Sequence, residues 1–212
     1  MDGYLIMPIT INGSGTIAGV SVGGLPNGIV DTDMLANNAV ASGKLAAGAG
    51  GKILQVVQST LTDVSTTSTK ETWLDLAGTD QAGSGSIFCV KITPTAATSK
   101  ILFSTSMHYS STNNNTVAIG LYRDATLLLQ GDASTNKMRA TSMMYETDDI
   151  NMQLKHLQYL DSPSSTSELT YKVKYLTYNT NDFWVNRSDR DYAGIYYDYR
   201  PTSVLTVMEV GA

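Results

Sequence analysis

Ile101-Leu102-Phe103-Ser104-Thr105-Ser106-Met107-His108-Tyr109 decides the fold class. Ile101, Phe103, Thr105, Met107 and Tyr109 alternate strictly with smaller or more polar partners, and successive strand side chains point to opposite faces. Lys100–Ser110 is therefore expected to be a strand with one face on a core. The same reading extends in both directions. Ile53–Ser59, Glu71–Leu76 and Ser86–Thr93 precede it; Thr116–Arg123, Thr126–Gly131, Lys137–Tyr145, Ile150–Tyr159, Glu168–Tyr178, Phe183–Asn186 and Ser203–Val210 follow. Turn chemistry separates them, as at Gly83-Ser84-Gly85, Asn113-Asn114-Asn115, Ser162-Pro163-Ser164-Ser165 and Asn179-Thr180-Asn181-Asp182. No amphipathic helix pattern appears after residue 50. Regularly spaced short strands predict an all-β fold, a β-sandwich of the jelly-roll kind. The final strand, Val204-Leu205-Thr206-Val207-Met208-Glu209-Val210, is apolar on nearly both faces, which places it mid-sandwich or, as the favoured reading, close to a subunit interface.

The front of the chain differs. Residues 1–51 hold 11 of the 18 glycines but one aromatic, Tyr4, and four charged residues, Asp2, Asp31, Asp33 and Lys44. So few large side chains cannot bury enough apolar area in one copy to offset the ordering entropy. The segment therefore calls for copies of itself or a body to dock on. In Thr16–Leu25 small residues alternate with single branched ones. Three copies could set Ile17, Val20, Val22 and Leu25 around a common axis, with glycines permitting close backbone approach. Asp31-Thr32-Asp33 offers an N-cap for a short helix around 32–46, and Ala46–Gly51 reads as a linker. The expected division is a stalk and anchor over 1–51 and a head over 52–212.

Charged residues are 16 % of the chain and the net charge is −5, which argues against nucleic acid or an anionic membrane as partner. No stretch approaches the ~20 apolar residues of a membrane span, and the N-terminus lacks a signal-peptide pattern. Synthesis in the cytoplasm is expected. The one cysteine, Cys89, rules out an intrachain disulfide and reads as a small buried strand residue.

Catalytic signals are sparse. His108 and His156 alternate onto the polar faces of their strands, with no ligand spacing for a metal behind them. Asp148-Asp149, Asp161 and Asp189-x-Asp191 read as turn carboxylates. Asp189-Arg190-Asp191 has the hard oxygens a calcium ion takes but no EF-hand pattern, so neither a metal nor a cofactor is expected. Gly13-Ser14-Gly15 and Gly83-Ser84-Gly85 lack the spacing of a nucleophilic serine motif. No enzyme is expected. For recognition, Asn181, Asp182, Trp184, Asn186 and Arg187 combine an aromatic face with hydroxyl-binding groups, a set suited to a glycan, and the tyrosines of 192–199 lie nearby. The alternative for Trp184 is packing, since alternation sets Phe183 and Trp184 on opposite faces. Trp73 reads as core. The polar loops 111–115, 162–167 and 179–187 are where contact with a host is expected.

Three segments of the front region, Gly15-Thr16-Ile17, Gly23–Gly28 and Val30–Val40, followed by Gly43-Lys44-Leu45-Ala46, resemble the N-terminal part of tail-fibre proteins of tailed bacteriophages, those of marine and cyanobacterial phages above all. Ile92-Thr93-Pro94, Thr98–Leu102 and Ser203–Val210 are similar to the same fibres, whereas Asp191–Arg200 replaces the Gly-rich stretch expected before the last strand. The motifs cover about a third of the chain, and each is low in chemical specificity. The resemblance implies a virion structural protein: a homotrimer with a jelly-roll head similar to complement C1q and tumour necrosis factor, docked on other virion proteins by its N-terminal segment. Its head would attach to a host surface glycan or protein. A purely structural adaptor or collar fibre, and less readily a glycan hydrolase, are the alternatives.

Overall fold

The computed structural model describes residues 10–11, 17–18, 52–67, 69–112, 114–147, 151–178, 183–194, 196 and 198–211. The chain divides after Gly50 into two units, each taken by itself. In the first, β1 (Thr10–Ile11) pairs antiparallel with β2 (Ile17–Ala18). Of the expected stalk residues Ile17 stands on β2; Val20, Val22, Leu25 and the expected helix lie outside the described residues.

Every described strand of the second unit belongs to one of two antiparallel six-stranded sheets. The first contains β3 (Ile53–Leu61), β4 (Ser65–Thr67), β7 (Lys100–Ser111), β11 (Gln153–Asp161), β13 (Phe183–Val185) and β14 (Ser203–Val210). The second contains β5 (Leu74–Asp75), β6 (Cys89–Ile92), β8 (Asn115–Arg123), β9 (Thr126–Leu128), β10 (Ser142–Glu146) and β12 (Leu169–Thr177). Several of these share one position. Along one edge of β7, β13 faces Ser111 to Tyr109 and β14 continues from Ser106 to Lys100 in the same direction. On the far side of that pair, β3 and β4 follow one another likewise. Counting such runs once, the first sheet has the order β3, β14, β7, β11 and the second β6, β12, β8, β10.

Alternation builds the core as the sequence predicts. Ile101, Phe103, Thr105, Met107 and Tyr109 are all fully buried. Across the sandwich Phe103 meets Tyr171 edge-on at 5.4 Å, and Tyr175 stacks on Phe183 at 4.7 Å. Cys89 is buried, and burial pushes its thiol pKa up. The last strand lies inside the sheet between β3 and β7, which accounts for its mostly apolar character.

Four expected strands are markedly shorter, and of these Ser86–Thr93 pairs as a strand only over Cys89–Ile92. The segment 71–76 pairs only at Leu74–Asp75, because Glu71 takes a left-handed φ of 54°. The 126–131 strand ends at Leu128, before Leu129 at φ 45°. The 137–145 strand begins at Ser142, after a turn in which Lys137 N donates to Ser134 O. Ser65–Thr67 was not foreseeable from alternation, since Ser-Thr-Thr carries no apolar period.

Register fixes two ends. At the base, Gly211 N donates to Lys52 O at 2.7 Å, and the buried Asp161 carboxylate joins the sheets by accepting from Arg123 (2.6 Å) and the Tyr171 hydroxyl (2.7 Å). Asp161 is thus a bridge between the sheets and not only a turn residue. Glu209, also buried, accepts from Gln55, Thr95 N and Thr95 Oγ1. The opposite end, the tip, gathers Ser111, Asn115, Glu146, Thr177 and Phe183.

Candidate recognition surface at the tip

Between Val185 and Ser203 the chain leaves the sheet and returns to the same edge of β7. Asn186 opens this loop at φ 63°, a conformation Asn tolerates better than most residues. It is fully buried. Its amide nitrogen donates to Leu61 O (2.8 Å) and Asp63 O (3.0 Å), its amide oxygen accepts from Ser203 Oγ (2.7 Å), and its N–H meets His108 O. Asn186 therefore seals the breaks between β3 and β4 and between β13 and β14. Trp184 is 7 % exposed and covered by the Arg187 guanidinium 5.0 Å from its ring. Arg187 also donates to Ser188 O and Asp189 O. The structure corrects the sequence reading here. Trp184 and Asn186 present almost no surface and Arg187 is committed to its own loop, while Asn181 and Asp182 lie outside the described residues.

The rest of the loop is held by two carboxylates. Asp198 accepts from Ser188 Oγ (2.7 Å), Tyr192 N (2.7 Å) and Arg190 (3.1 Å); these bonds, the Ser188 hydroxyl first, hold its pKa below the usual carboxylate value. Asp191 pairs with Arg200 at 2.6 Å and Arg187 at 3.3 Å. The charges of the loop are matched internally, so what it offers outward is aromatic. Tyr192, Tyr196 and Tyr199 are 60 %, 75 % and 68 % exposed.

Two further exposed tyrosines, Tyr145 and Tyr178, stand at the same end. Tyr145 faces Thr116 across β10 and β8, and Tyr178 N donates to Thr116 O. Tyr145 and Tyr178 thus stand at the tip, away from where the chain enters this unit at Lys52, and the loop that carries the other three tyrosines exposed among the described residues is rooted in the tip-ward half of β7, between Tyr109 and Ser106. A tyrosine offers a rigid apolar ring with a hydroxyl at its edge, suited to stacking and hydrogen bonding against a polar partner. Between Tyr145 and Tyr178 begins a trough floored by Thr116 and Ala118, with Met143 and Leu176 on its sides. Its cavity volume is about 1010 Å³. Further along β8 Gly120 is tightly enclosed: a Cβ there would sit 2.7 Å from Tyr122, 2.8 Å from Leu127 and 3.1 Å from Trp73. Trp73 stands there edge-on to Tyr122, at 5.8 Å.

The polar loops expected to touch a host divide between the ends. Residues 111–115 and 183–187 are at the tip, but 162–167 follows Asp161 at the base, since Asp161 faces Ile101. The sequence showed the 192–199 tyrosines as a cluster; it did not reveal Tyr145 and Tyr178 as neighbours of each other, which strand register brings together through Thr116. His108 Nδ1 lies 3.0 Å from Thr202 O and His156 Nδ1 2.9 Å from Ser106 Oγ. Among the described residues no three His, Cys, Asp or Glu side chains gather as a metal site would need.

No protein-family model matches the chain, and no curated protein matches it. Twelve chains of solved structures do. One is the crystal structure of the infectious bursal disease virus VP2 subviral particle, with 13 % identity and a TM-score of 0.31, over 74 % of this chain and 39 % of that one. The chain spans about two fifths of that neighbour's length, and a likeness this slight carries no functional argument.

Proposed function

We propose that this chain is a virion structural protein of the bacteriophage tail-fibre kind, whose strand order we read as a jelly roll and whose tip attaches to a host-cell surface. The observation that carries the proposal is that the described exposed tyrosines stand either at the end remote from Lys52, as Tyr145 and Tyr178 do, or on the loop rooted in that half of β7, as Tyr192, Tyr196 and Tyr199 do. A fibre anchored through residues 1–51 has its contact surface at the far end of its head, and large aromatic side chains left in water need a partner to justify them. The tail-fibre assignment itself draws on the sequence resemblance of the N-terminal segment.

The mechanism is adhesion, not catalysis. Three copies per fibre would let weak contacts add into an avid one. The ligand is a surface glycan or protein, met by ring faces and hydroxyls and not by net charge, because the arginines and carboxylates described in the loop pair with each other. Fluorescently labelled protein incubated with marine and cyanobacterial strains tests this. The native chain is expected to label a host strain, and a Tyr192→Ala, Tyr196→Ala, Tyr199→Ala variant with unchanged circular dichroism to lose at least about tenfold in binding, a loss of roughly 1.4 kcal/mol. Equal labelling by both would place recognition elsewhere. Binding to virion proteins with no cell labelled would favour the structural adaptor.

A further inference from the structure

His108 and His156 are the only histidines of the chain, and they lie far apart in it. Register brings them together. His156 on β11 faces Ser106 on β7, and Leu154 faces His108, so the two imidazoles stand on one face of the first sheet as diagonal neighbours. The hydrogen bonds of β7 set how close they are. His108 N donates to Ser203 Oγ and His108 O accepts from Asn186 N, so both backbone groups turn away from β11. His108 with Leu154, and Ser106 with His156, are therefore non-hydrogen-bonded pairs, in which opposing side chains stand closest. Diagonal partners on such a face are about 7–8 Å apart, a span that two rings can close between them.

The ring nitrogens are already sorted. His108 Nδ1 lies 3.0 Å from Thr202 O. A carbonyl only accepts, so in the neutral ring the proton sits on Nδ1 and the Nε2 lone pair is left open. His156 Nδ1 lies 2.9 Å from Ser106 Oγ, a bond that holds its ring toward β7. Among the described residues neither Nε2 has a hydrogen-bond partner. An imidazole with one nitrogen engaged by an oxygen and the other open is the form in which histidine ligates a metal. We infer that His108 and His156 form a two-imidazole site for a late first-row divalent ion, copper(II), nickel(II) or zinc(II), bound through the two Nε2 atoms. These ions suit imidazole, whereas calcium and magnesium take oxygen ligands that the pair does not supply. The positions beside the pair in register are Leu154, Ser106 and Val204, none of them a cation that would repel the metal. Arg200, two residues before Thr202, is paired with Asp191 at 2.6 Å. Two protein ligands are fewer than a resident zinc site has, so water completes the shell and the ion exchanges. Sequence spacing gives no sign of this site because only register creates it, and it is independent of the adhesive reading of the tip.

Isothermal titration calorimetry of the full chain without an affinity tag tests it, with the chlorides of copper(II), nickel(II), zinc(II) and calcium as probes. The native chain is expected to bind one transition-metal ion per chain, copper most tightly, and to give no saturable heat with calcium. His108→Gln and His156→Gln are each expected to weaken binding at least about tenfold, because one of two tethered ligands is lost. His156 is exposed, so its variant serves if His108→Gln fails to fold. Electron paramagnetic resonance of the copper complex is expected to show two coupled nitrogens in the native chain and one in each variant, a change that altered packing alone does not produce. Absence of saturable binding at millimolar ion, variants that bind as the native chain does, or calcium bound as tightly as copper would each overturn the site. Fewer than one ion per chain would overturn it as well, since the ion would then lie between copies.

Discussion

Replacing Asn186 with Ala asks whether this residue holds the fold or only borders the tip. The side chain makes three hydrogen bonds, to Leu61 O, Asp63 O and Ser203 Oγ, all within 3.0 Å and in a buried site. At about 1 kcal/mol net each, their loss costs about 3 kcal/mol, and more where a buried carbonyl is left without a donor. The backbone adds to this. At φ 63° Ala is strained by about 1 kcal/mol relative to Asn or Gly. Asn186→Ala is therefore expected to lower unfolding stability by about 4 kcal/mol, and Asn186→Gly by about 3 kcal/mol because glycine removes the strain but not the lost bonds. Urea unfolding of the full chain, read by near-ultraviolet circular dichroism at one fixed protein concentration, measures both. A loss below about 1 kcal/mol for Ala, within the range of ordinary surface substitutions, would refute the role of Asn186 at the strand breaks. Equal losses for Ala and Gly would refute the backbone part alone.

Glu209→Gln tests the base of the sandwich. Its hydrogen bonds hold the folded-state pKa at about 2, below the ordinary 4.5, so the carboxylate's contribution is full above pH 4.5 and is lost as pH falls toward 2. The native chain is expected to exceed the variant by about 2–4 kcal/mol at pH 7, from hydrogen bonds to a charged acceptor, with the gap closing in denaturant titrations repeated down to pH 3. A gap independent of pH would show that the carboxylate's charge does not hold the 93–99 loop. Gly120→Ala drives a methyl into Tyr122, Leu127 and Trp73 and is expected to cost about 1–3 kcal/mol and to alter tryptophan fluorescence; unchanged fluorescence and stability would mean that these side chains do not hold Gly120 closely. The Tyr192, Tyr196 and Tyr199 alanine substitutions are each expected within ~0.5 kcal/mol of native stability, since these rings are exposed, and a larger loss would mark them as packing residues.

What the sequence disclosed follows from the range of each signal. Period-two alternation is local and strong, so β7, β8, β12 and β14 were legible to within one residue at each end. Glu71, Leu129 and Asn186 take left-handed backbone angles that their side chains do not announce, and strand ends near them were misplaced. The site was less legible for the same reason. Trp184 and Asn186 have the chemistry of a glycan contact, but a short β13 wedged between β7 and β4 buries both. Tyr145 and Tyr178 lie 33 positions apart in the chain, and only their shared neighbour Thr116 makes them one surface.

The tip owes its character to an interruption that the sandwich itself does not need. β13 and β14 run in the same direction along one edge of β7, at Ser111 to Tyr109 and then from Ser106, so a residue or two could join them as one strand. Instead the chain spends residues 186 to 202 outside the sheet. Connections of that length without secondary structure are uncommon in compact domains and are usually functional. Closing such a loop costs entropy, which Asp198, Asp191 and their arginine partners offset by tying it to itself. A loop held so firmly could have turned its aromatic rings inward. It exposes three of them by more than half. That is the arrangement expected when rings are kept for an outside partner and the ionic network serves to fix their positions, which limits the entropy lost on contact.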